Sequence, residues 1–146
     1  TKYLSTGSFP LSTKDEQSFI EAATTSRSQL LLGIWHKADQ RLIGNTGLNP
    51  IDDINQTASF GIVIGEPDYW GRGIGPEVVN LMLDYAFTVR NLRSVTLQVI
   101  GGHTTAYDCY EQCGFIEEGR FRQHLFKAGE WQDEVFMIAR NPAYQT

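Results

Sequence analysis

The chain has 146 residues, with 12 Lys+Arg against 17 Asp+Glu for a net charge of −5, and is 41% apolar and 20% charged. Those proportions suit one globular domain that needs no disulfide or metal staple, and they exclude a disordered or fibrous chain. The negative charge argues against a duplex nucleic-acid binder, which needs a basic face, and permits cationic partners.

Ser12 to Ala23 is predicted as a helix: Ser12 or Thr13 caps it, Asp15 and Glu16 suit its first turn, and Phe19, Ile20 and Ala23 share a face. Leu30 to His36 is an apolar strand, Asp39-Gln40 marks a turn, and Arg41 to Leu48 returns as a second strand. Pro50 to Gln56 reads as a polar turn and Thr57 to Gly65 as a third strand. A strong helical period then runs from Glu77 to Arg90, with Val78, Met82 and Ala86 on one line and Val79, Leu83 and Phe87 on the next. Pro76 stands where a helix tolerates it, in the first turn. Ser94 to Ile100 alternates Val95, Leu97 and Val99 as a strand. Thr104 or Thr105 opens a short helix, with Thr105 and Asp108 at capping-box spacing; Gly114 ends it, and Phe115 packs beyond. Phe121 to Phe126 and Trp131 to Ala139 flank Lys127-Ala128-Gly129-Glu130 as a hairpin. No repeat, low-complexity run or linker interrupts this order, so residues 1–146 read as a single domain. Adjacent strands without intervening helices predict an α+β (α/β) fold, a mostly antiparallel mixed sheet flanked by helices.

No apolar run approaches the roughly 18 residues of a membrane span, and no basic-then-apolar leader opens the chain, so a cytoplasmic address without a membrane partner is expected. The chain starts at Thr1 rather than methionine, which leads us to expect residues ahead of it. Cys109 and Cys113, four apart in a helical stretch, read as reduced packing residues, since helical Cβ directions suit a disulfide poorly. His36, His103 and His124 are far apart, and no HExxH, GxSxG or zinc spacing occurs, so no metal site is expected.

Gly71, Gly73 and Gly75 alternate between a strand and a helix. Glycines let backbone N–H groups approach a ligand closely, and the start of the following helix adds unpaired donors and a positive end. Arg72 between them is a charge-assisted donor for a phosphate or a solvated surface charge. On spacing alone the loop is either an anion site or a tight ligand-free turn. It lacks the Gly-Lys-Ser/Thr ending of a Walker loop, and its GxGxG spacing is not GxGxxG.

Tyr69-Trp70-Gly71-Arg72-Gly73-Ile74-Gly75, followed by Glu77 and an apolar helix, resembles the acetyl-CoA loop of the GNAT acetyltransferases. The branch it resembles holds ribosomal-protein and spermidine N-acetyltransferases. Phe60 to Gly65, Asp84 to Phe87, and the run from Ala106 through Tyr110-Glu111 and Gly114-Phe115 to Glu118-Gly119 have counterparts there, so the resemblance runs from about Leu11 to Ala139. It implies the GNAT acyl-CoA N-acyltransferase fold, lacking the usual first strand and part of the first helix. It also implies an enzyme that moves the acetyl group of acetyl-CoA directly to a primary amine in a ternary complex.

Residue by residue, the resemblance implies that Ile62, Val63 and Ile64 pair with the pantetheine arm, and that Gly71 to Gly75, with Trp70, Arg72 and Ile74, hold the pyrophosphate. Tyr110, which by itself reads as packing, matches the tyrosine near the CoA sulfur, where a leaving thiolate benefits from a proton. Ser59 stands where relatives often place a glutamate base; Glu66 and Asp68 are substitutes by position, and the base stays unassigned. Gly102-His103 replaces a common asparagine, leaving His103 as a hydrogen-bond donor, a phosphate contact or a plain loop residue. Asp52, Asp53, Glu117, Glu118, Asp133 and Glu134 lean the acceptor towards a polyamine or aminoglycoside-like amine, with a protein N-terminus as runner-up. A homodimer is compatible with this reading. The alternatives are a noncatalytic acyl-CoA-binding module with the same fold, motivated by Ser59 and His103, and an unrelated binder of ATP or NAD.

Overall fold

Apolar alternation sets which way each strand faces. In the computed structural model, which describes residues 10–12, 18–25, 27–65, 67–69, 71 and 73–144, strand β3 (Leu30–His36) buries Leu30, Leu32 and Ile34 on one side. With β1 (Pro10–Ser12), β2 (Ser18–Thr25), β4 (Arg41–Asp52), β5 (Thr57–Ile64), β6 (Ser94–Ile100), β7 (Ile116–Lys127) and β8 (Glu130–Arg140) it forms one sheet, ordered β1-β2-β3-β4-β5-β6-β8-β7. Neighbours are antiparallel except β5 and β6, which are parallel because the connection between them carries a helix.

That helix, α1 (Ile74–Asp84), continues through one π turn at Tyr85–Val89; the second, α2 (Thr104–Gln112), precedes β7. Register aligns Leu30 with Leu48, Leu48 with Phe60, Ala58 with Val95, and Leu97 with Met137. These side chains therefore share one face, and Val78, Val79 and Met82 of α1 join them in the core. Each fully buried Leu, Val or Met among them contributes about 1.5–3 kcal/mol. No described helix is long and apolar enough to cross a membrane.

Three expectations change. Residues 18–25 form β2, antiparallel to β3 from Ser18↔His36 to Thr25↔Leu30, and Ser12 ends β1, so the helix expected over Ser12 to Ala23 is not formed; residues 13–17 lie outside the described ones. Pairing satisfies the row of backbone groups that β3 would otherwise expose, and a helix of some 12 residues is marginal by itself. β4 runs on to Asp52, shortening the Pro50 to Gln56 turn to 53–56. Asp52 closes that turn by accepting the N–H groups of Ile54 and Asn55 at 3.0 Å each. The helix expected from Glu77 begins earlier, at Ile74, and its last turn widens so that Arg90 N–H reaches the Tyr85 carbonyl at 3.1 Å. Asn141, itself buried, donates Nδ2 to the Leu92 carbonyl at 2.9 Å and the Phe87 carbonyl at 3.4 Å, satisfying acceptors at that end.

Candidate active site

β5 and β6 stay together for three registers, Thr57↔Ser94, Ala58↔Val95 and Ser59↔Thr96, and then part. β5 remains paired with β4 as far as Gly44↔Ile64. Past Ser59, no described strand covers the β6-facing edge of β5. Gly65 N–H bonds to the Ile43 carbonyl at 3.0 Å, and Thr46 Oγ1 donates to the Gly61 carbonyl at 2.7 Å. In antiparallel alternation this turns the backbone of Gly61 and Val63 towards β4, and that of Ile62 and Ile64 towards the gap. Such an edge can take an extended ligand as an added strand. Among the three residues expected at the cofactor, Ile62 and Ile64 thus offer backbone to the gap. Val63 instead points an exposed side chain (58%) to the face away from α1.

The glycine loop lies between β5 and α1. Gly71 and Gly73 hold left-handed φ values of 76° and 81°, which glycine adopts without the Cβ penalty. Chain neighbours aside, a Cβ at either would meet no described atom within 4 Å, so among the described residues backbone conformation rather than packing sets the requirement there. Gly73 is the N-cap of α1 and supplies no side-chain bond, while Ile74 is buried. The first amides of α1, which no helix carbonyl takes, lie at the positive end of the helix, and the N-cap residue offers them no side chain. A Cβ on Gly75 would sit 4.0 Å from Cys109 Sγ, bringing α2 against this turn. Trp70, Arg72 and Glu66 lie outside the described residues.

Tyr110 projects from α2 into the same region. Its ring meets Phe60, the first β5 residue past the last β6 pair, edge-on at 6.4 Å, and Phe115 at 5.9 Å. Burial, reinforced by the neighbouring thiols of Cys109 and Cys113, pushes its hydroxyl up to a pKa of about 12. That hydroxyl makes no hydrogen bond among the described residues. Cys109 and Cys113 are both free thiols, as expected. Hydrogen bonding between them lowers Cys109 and raises Cys113, whose Sγ also donates to the Pro76 carbonyl at 3.7 Å.

The ends of α2 fix where Tyr110 points. Gly114, at φ 107°, donates to the Glu111 carbonyl at 3.1 Å, and Phe115 N–H returns to the Tyr110 carbonyl at 3.0 Å, closing the helix with a buried aromatic beyond. At the other end the expected box of Thr105 and Asp108 gives way to His103, whose Nδ1 accepts Ala106 N–H at 3.3 Å. The helix starts at Thr104, which puts Thr105 inside the first turn, past the capping position. His103 is exposed, and one of its two ring nitrogens is spent on this cap.

Ser59 is half-buried and lines an open cleft of about 310 Å³ together with Asn45, Asn49, Gly47 and Val63. No carboxylate lines that cleft among the described residues, and Asp68 stands exposed in the 3₁₀ turn Pro67–Tyr69. Asn45 and Asn49 escape a reading of strand patterns, because the Gly47↔Gly61 register that sets them beside Ser59 depends on strand pairing.

The acidic residues that leaned the acceptor towards a polycation are engaged elsewhere. Asp52 closes its turn; Asp53 pairs with Arg27 at 2.9 Å; Glu118 meets Arg140 at 3.4 Å; Glu134 lies 3.7 Å from His124 Nε2. Arg120 binds both Glu117 and Asp133. It holds the Glu117 carboxyl below the ordinary range, while Asp133 is lowered first by the Gln123 N–H and then by Arg120. These carboxylates do not converge on the cleft.

A family model described as acetyltransferase (GNAT) domain matches residues 1–116. A spermidine N(1)-acetyltransferase of Vibrio cholerae serotype O1 is 38% identical over 107 residues, 73% of this chain and 61% of that protein, so the chain spans about three fifths of this relative's length. Among solved structures, the V. cholerae spermidine N-acetyltransferase in complex with CoA and spermine superimposes with a TM-score of 0.72 at 33% identity, covering 79% of this chain and 67% of that one. A dodecameric structure of the V. cholerae enzyme in an intermediate state gives 0.74 at 31% identity, covering 83% and 70%.

Proposed function

Because the chain belongs to the GNAT acetyltransferase family, whose fold its mixed sheet adopts, we propose that it is an acetyl-CoA-dependent N-acetyltransferase acting on a primary amine. The observation that carries this reading is the parting of β5 and β6, followed in the chain by a helix whose glycine N-cap supplies no side chain, with Tyr110 packed edge-on against Phe60 where the strands part. Those features suit the chemistry of acetyl-CoA: an open strand edge at Ile62 and Ile64 for the amide-bearing arm, and amides at Gly71, Gly73, Ile74 and Gly75 for the pyrophosphate. Trp70 and Arg72 join that set by resemblance, and a role for His103 would fall to Nε2.

An alkyl ammonium has a pKa near 10 and must lose a proton before its nitrogen can attack the thioester carbon. Ser59 is a poor base and serves here by ordering a water towards the cleft. As the C–N bond forms and the C–S bond breaks, Tyr110 passes its proton to the departing sulfur and takes up the one the attacking nitrogen releases, so that one N–H proton ends on the CoA thiol and the phenol is restored. Its raised pKa keeps that proton in place at neutral pH, and its unshared hydroxyl is available to give it. Transfer is direct, because the two thiols belong to the packing between α1 and α2.

The acceptor we favour is a small polyamine. The support is the spermidine activity named for the relative and the spermine named for its structure; the surface carboxylates of this chain add nothing to it. An aminoglycoside-like amine and a protein N-terminus are the other acceptors to test. We assign the enzyme to the cytoplasm and to a homo-oligomer. In support of the latter, β7 is exposed along nearly its whole length in the single chain, with Phe121, Phe126 and Trp131 uncovered on its hairpin, and the V. cholerae relative has a dodecameric structure.

Ser59 specifically favours a second reading, a noncatalytic acyl-CoA-binding module. Thiol release measured over polyamines, aminoglycosides and N-terminal peptides separates the two. CoA released with spermidine or spermine supports the enzyme. Stabilisation by acetyl-CoA without release across the panel supports the module, and stabilisation by ATP or NAD but not CoA overturns both.

A further inference from the structure

We propose that the β3–β4 turn positions the glycine loop, with Asp39 and His36 holding Tyr69 so that the loop's amides stand ready for the pyrophosphate. This rests on the acetyl-CoA reading above. Tyr69 is 3% exposed, ends the 3₁₀ turn before the loop, and donates its hydroxyl to the Asp39 carboxylate. Its ring lies 4.7 Å from that of His36, which is itself 3% exposed. His36 Nδ1 accepts the Asp39 N–H at 3.2 Å, fixing the turn that carries the carboxylate.

Two features give this cluster its meaning. The first is the openness of the loop's glycines: Gly71 and Gly73 are exposed, and among the described residues, chain neighbours aside, no atom lies within 4 Å of where their Cβ atoms would be. Between the buried Tyr69 and the buried Ile74, nothing described packs on these left-handed glycines. A glycine segment held at both ends has less conformational freedom left to lose when an anion binds, so the anchor at Tyr69 translates into affinity. The second is the chemistry of His36. Its Nε2 is buried without a hydrogen-bond partner, a cost that an apolar residue in the same space would avoid. What the imidazole adds over an apolar ring is the Nδ1 acceptor for Asp39. Tyr69 and Asp39 are thus positioning residues, acting through the loop rather than on the acetyl group.

The test is calorimetric titration of the folded chain with acetyl-CoA and with acetyl-pantetheine, which lacks the pyrophosphate. Tyr69→Phe keeps the buried ring and removes the hydroxyl. It is expected to weaken acetyl-CoA by about tenfold, the low end of what a lost hydrogen bond to a charged group costs, and to leave acetyl-pantetheine unchanged. Asp39→Ala should reproduce that pattern, and Asp39→Asn, which keeps an acceptor oxygen for Tyr69, should restore affinity to within about twofold of wild type. Equal acetyl-CoA affinity in Tyr69→Phe and wild type, or equal loss for both ligands, would overturn the positioning role. A wild-type chain that binds no acetyl-CoA would instead overturn the cofactor reading on which it rests.

Discussion

The two helices beside the strand gap begin in opposite ways. α2 is closed at its N-terminus: the His103 imidazole accepts the Ala106 N–H, and its Nδ1 is committed to the helix. α1 is open: its N-cap is Gly73, which has no side chain to offer, and Pro76 in the first turn has no N–H to strand. Both termini carry the same partial positive charge and the same inventory of unpaired donors. A terminus that serves only the fold gains about 1 kcal/mol from a capping side chain, and α2 takes it. One that begins on glycines in a conformation other residues resist, with no side chain from its N-cap, suits a ligand that completes it, as we propose for α1. The difference gives His103 Nδ1 to the helix that aims Tyr110 and leaves only Nε2 for the phosphate contact that resemblance allowed.

The strongest way to break this contrast is Gly73→Trp. The backbone at φ 81° strains any side chain, by about 1–3 kcal/mol, and the indole would cover the amides the glycine leaves open. Acetyl-CoA binding should fall by at least about 100-fold, the loss of several charge-assisted hydrogen bonds at once, while circular dichroism reports an intact fold. Unchanged affinity in that variant would remove the cofactor assignment from α1.

Tyr110→Phe asks what the capped helix is for. The ring would keep its place against Phe60 and Phe115, so acetyl-CoA affinity should hold while turnover falls about 100-fold, the lower range for losing a general acid. Full activity would end the acid role. pH sharpens the point. With its pKa pushed up to about 12, Tyr110 stays protonated at pH 8 to 10, and the wild-type rate should show no alkaline decline from this group there. In stability the sign is the same. Above the unfolded tyrosine value near 10 the unfolded chain gives up this proton first, so the contribution is present below pH 10 and is lost as pH climbs towards 12. Urea denaturation of wild type and Tyr110→Phe across that window would read it as a difference between the two slopes.

Much of this frame was legible in the sequence. The alternation of Val95, Leu97 and Val99 is local information, and the strand Ser94–Ile100 forms where it predicts. The same holds for Leu30–His36 and for Gly114 followed by Phe115. What escaped depends on partners distant in the chain. The segment 18–25 carries a helical pattern yet lies against β3, because an open sheet edge outweighs a weak period. The cleft residues Asn45 and Asn49 need the Gly47↔Gly61 register to come beside Ser59. Tyr69 reads as part of a loop motif, and its bond to Asp39, thirty positions earlier, follows from packing alone. Of the candidate site, glycine spacing and Tyr110 were readable from motif and resemblance; an edge at Ile62 to Ile64 open to a cofactor arm was implied by resemblance alone, since no side-chain pattern encodes where two strands stop pairing.

The smallest expected effect tests the contrast from its closed side. His103→Ala removes a cap and should cost about 1 kcal/mol. For a chain of this size that lowers Tm by about 2–4 °C. Acetyl-CoA affinity should stay within about twofold, the result expected when Nδ1 is spent on the cap and Nε2, lost with it, makes no ligand contact. His103→Asp, a stronger cap, should recover the lost stability, and its negative charge supplies a second readout. If Nε2 contacted a phosphate, aspartate at this position would repel it, and affinity would drop well beyond the alanine variant. A drop of that kind, with Tm unmoved in His103→Ala, would reverse the assignment: the start of α2 would then belong to the ligand as much as the start of α1. Equal affinity in all three proteins, with Tm ordered alanine lowest, leaves α1 as the terminus reserved for the pyrophosphate.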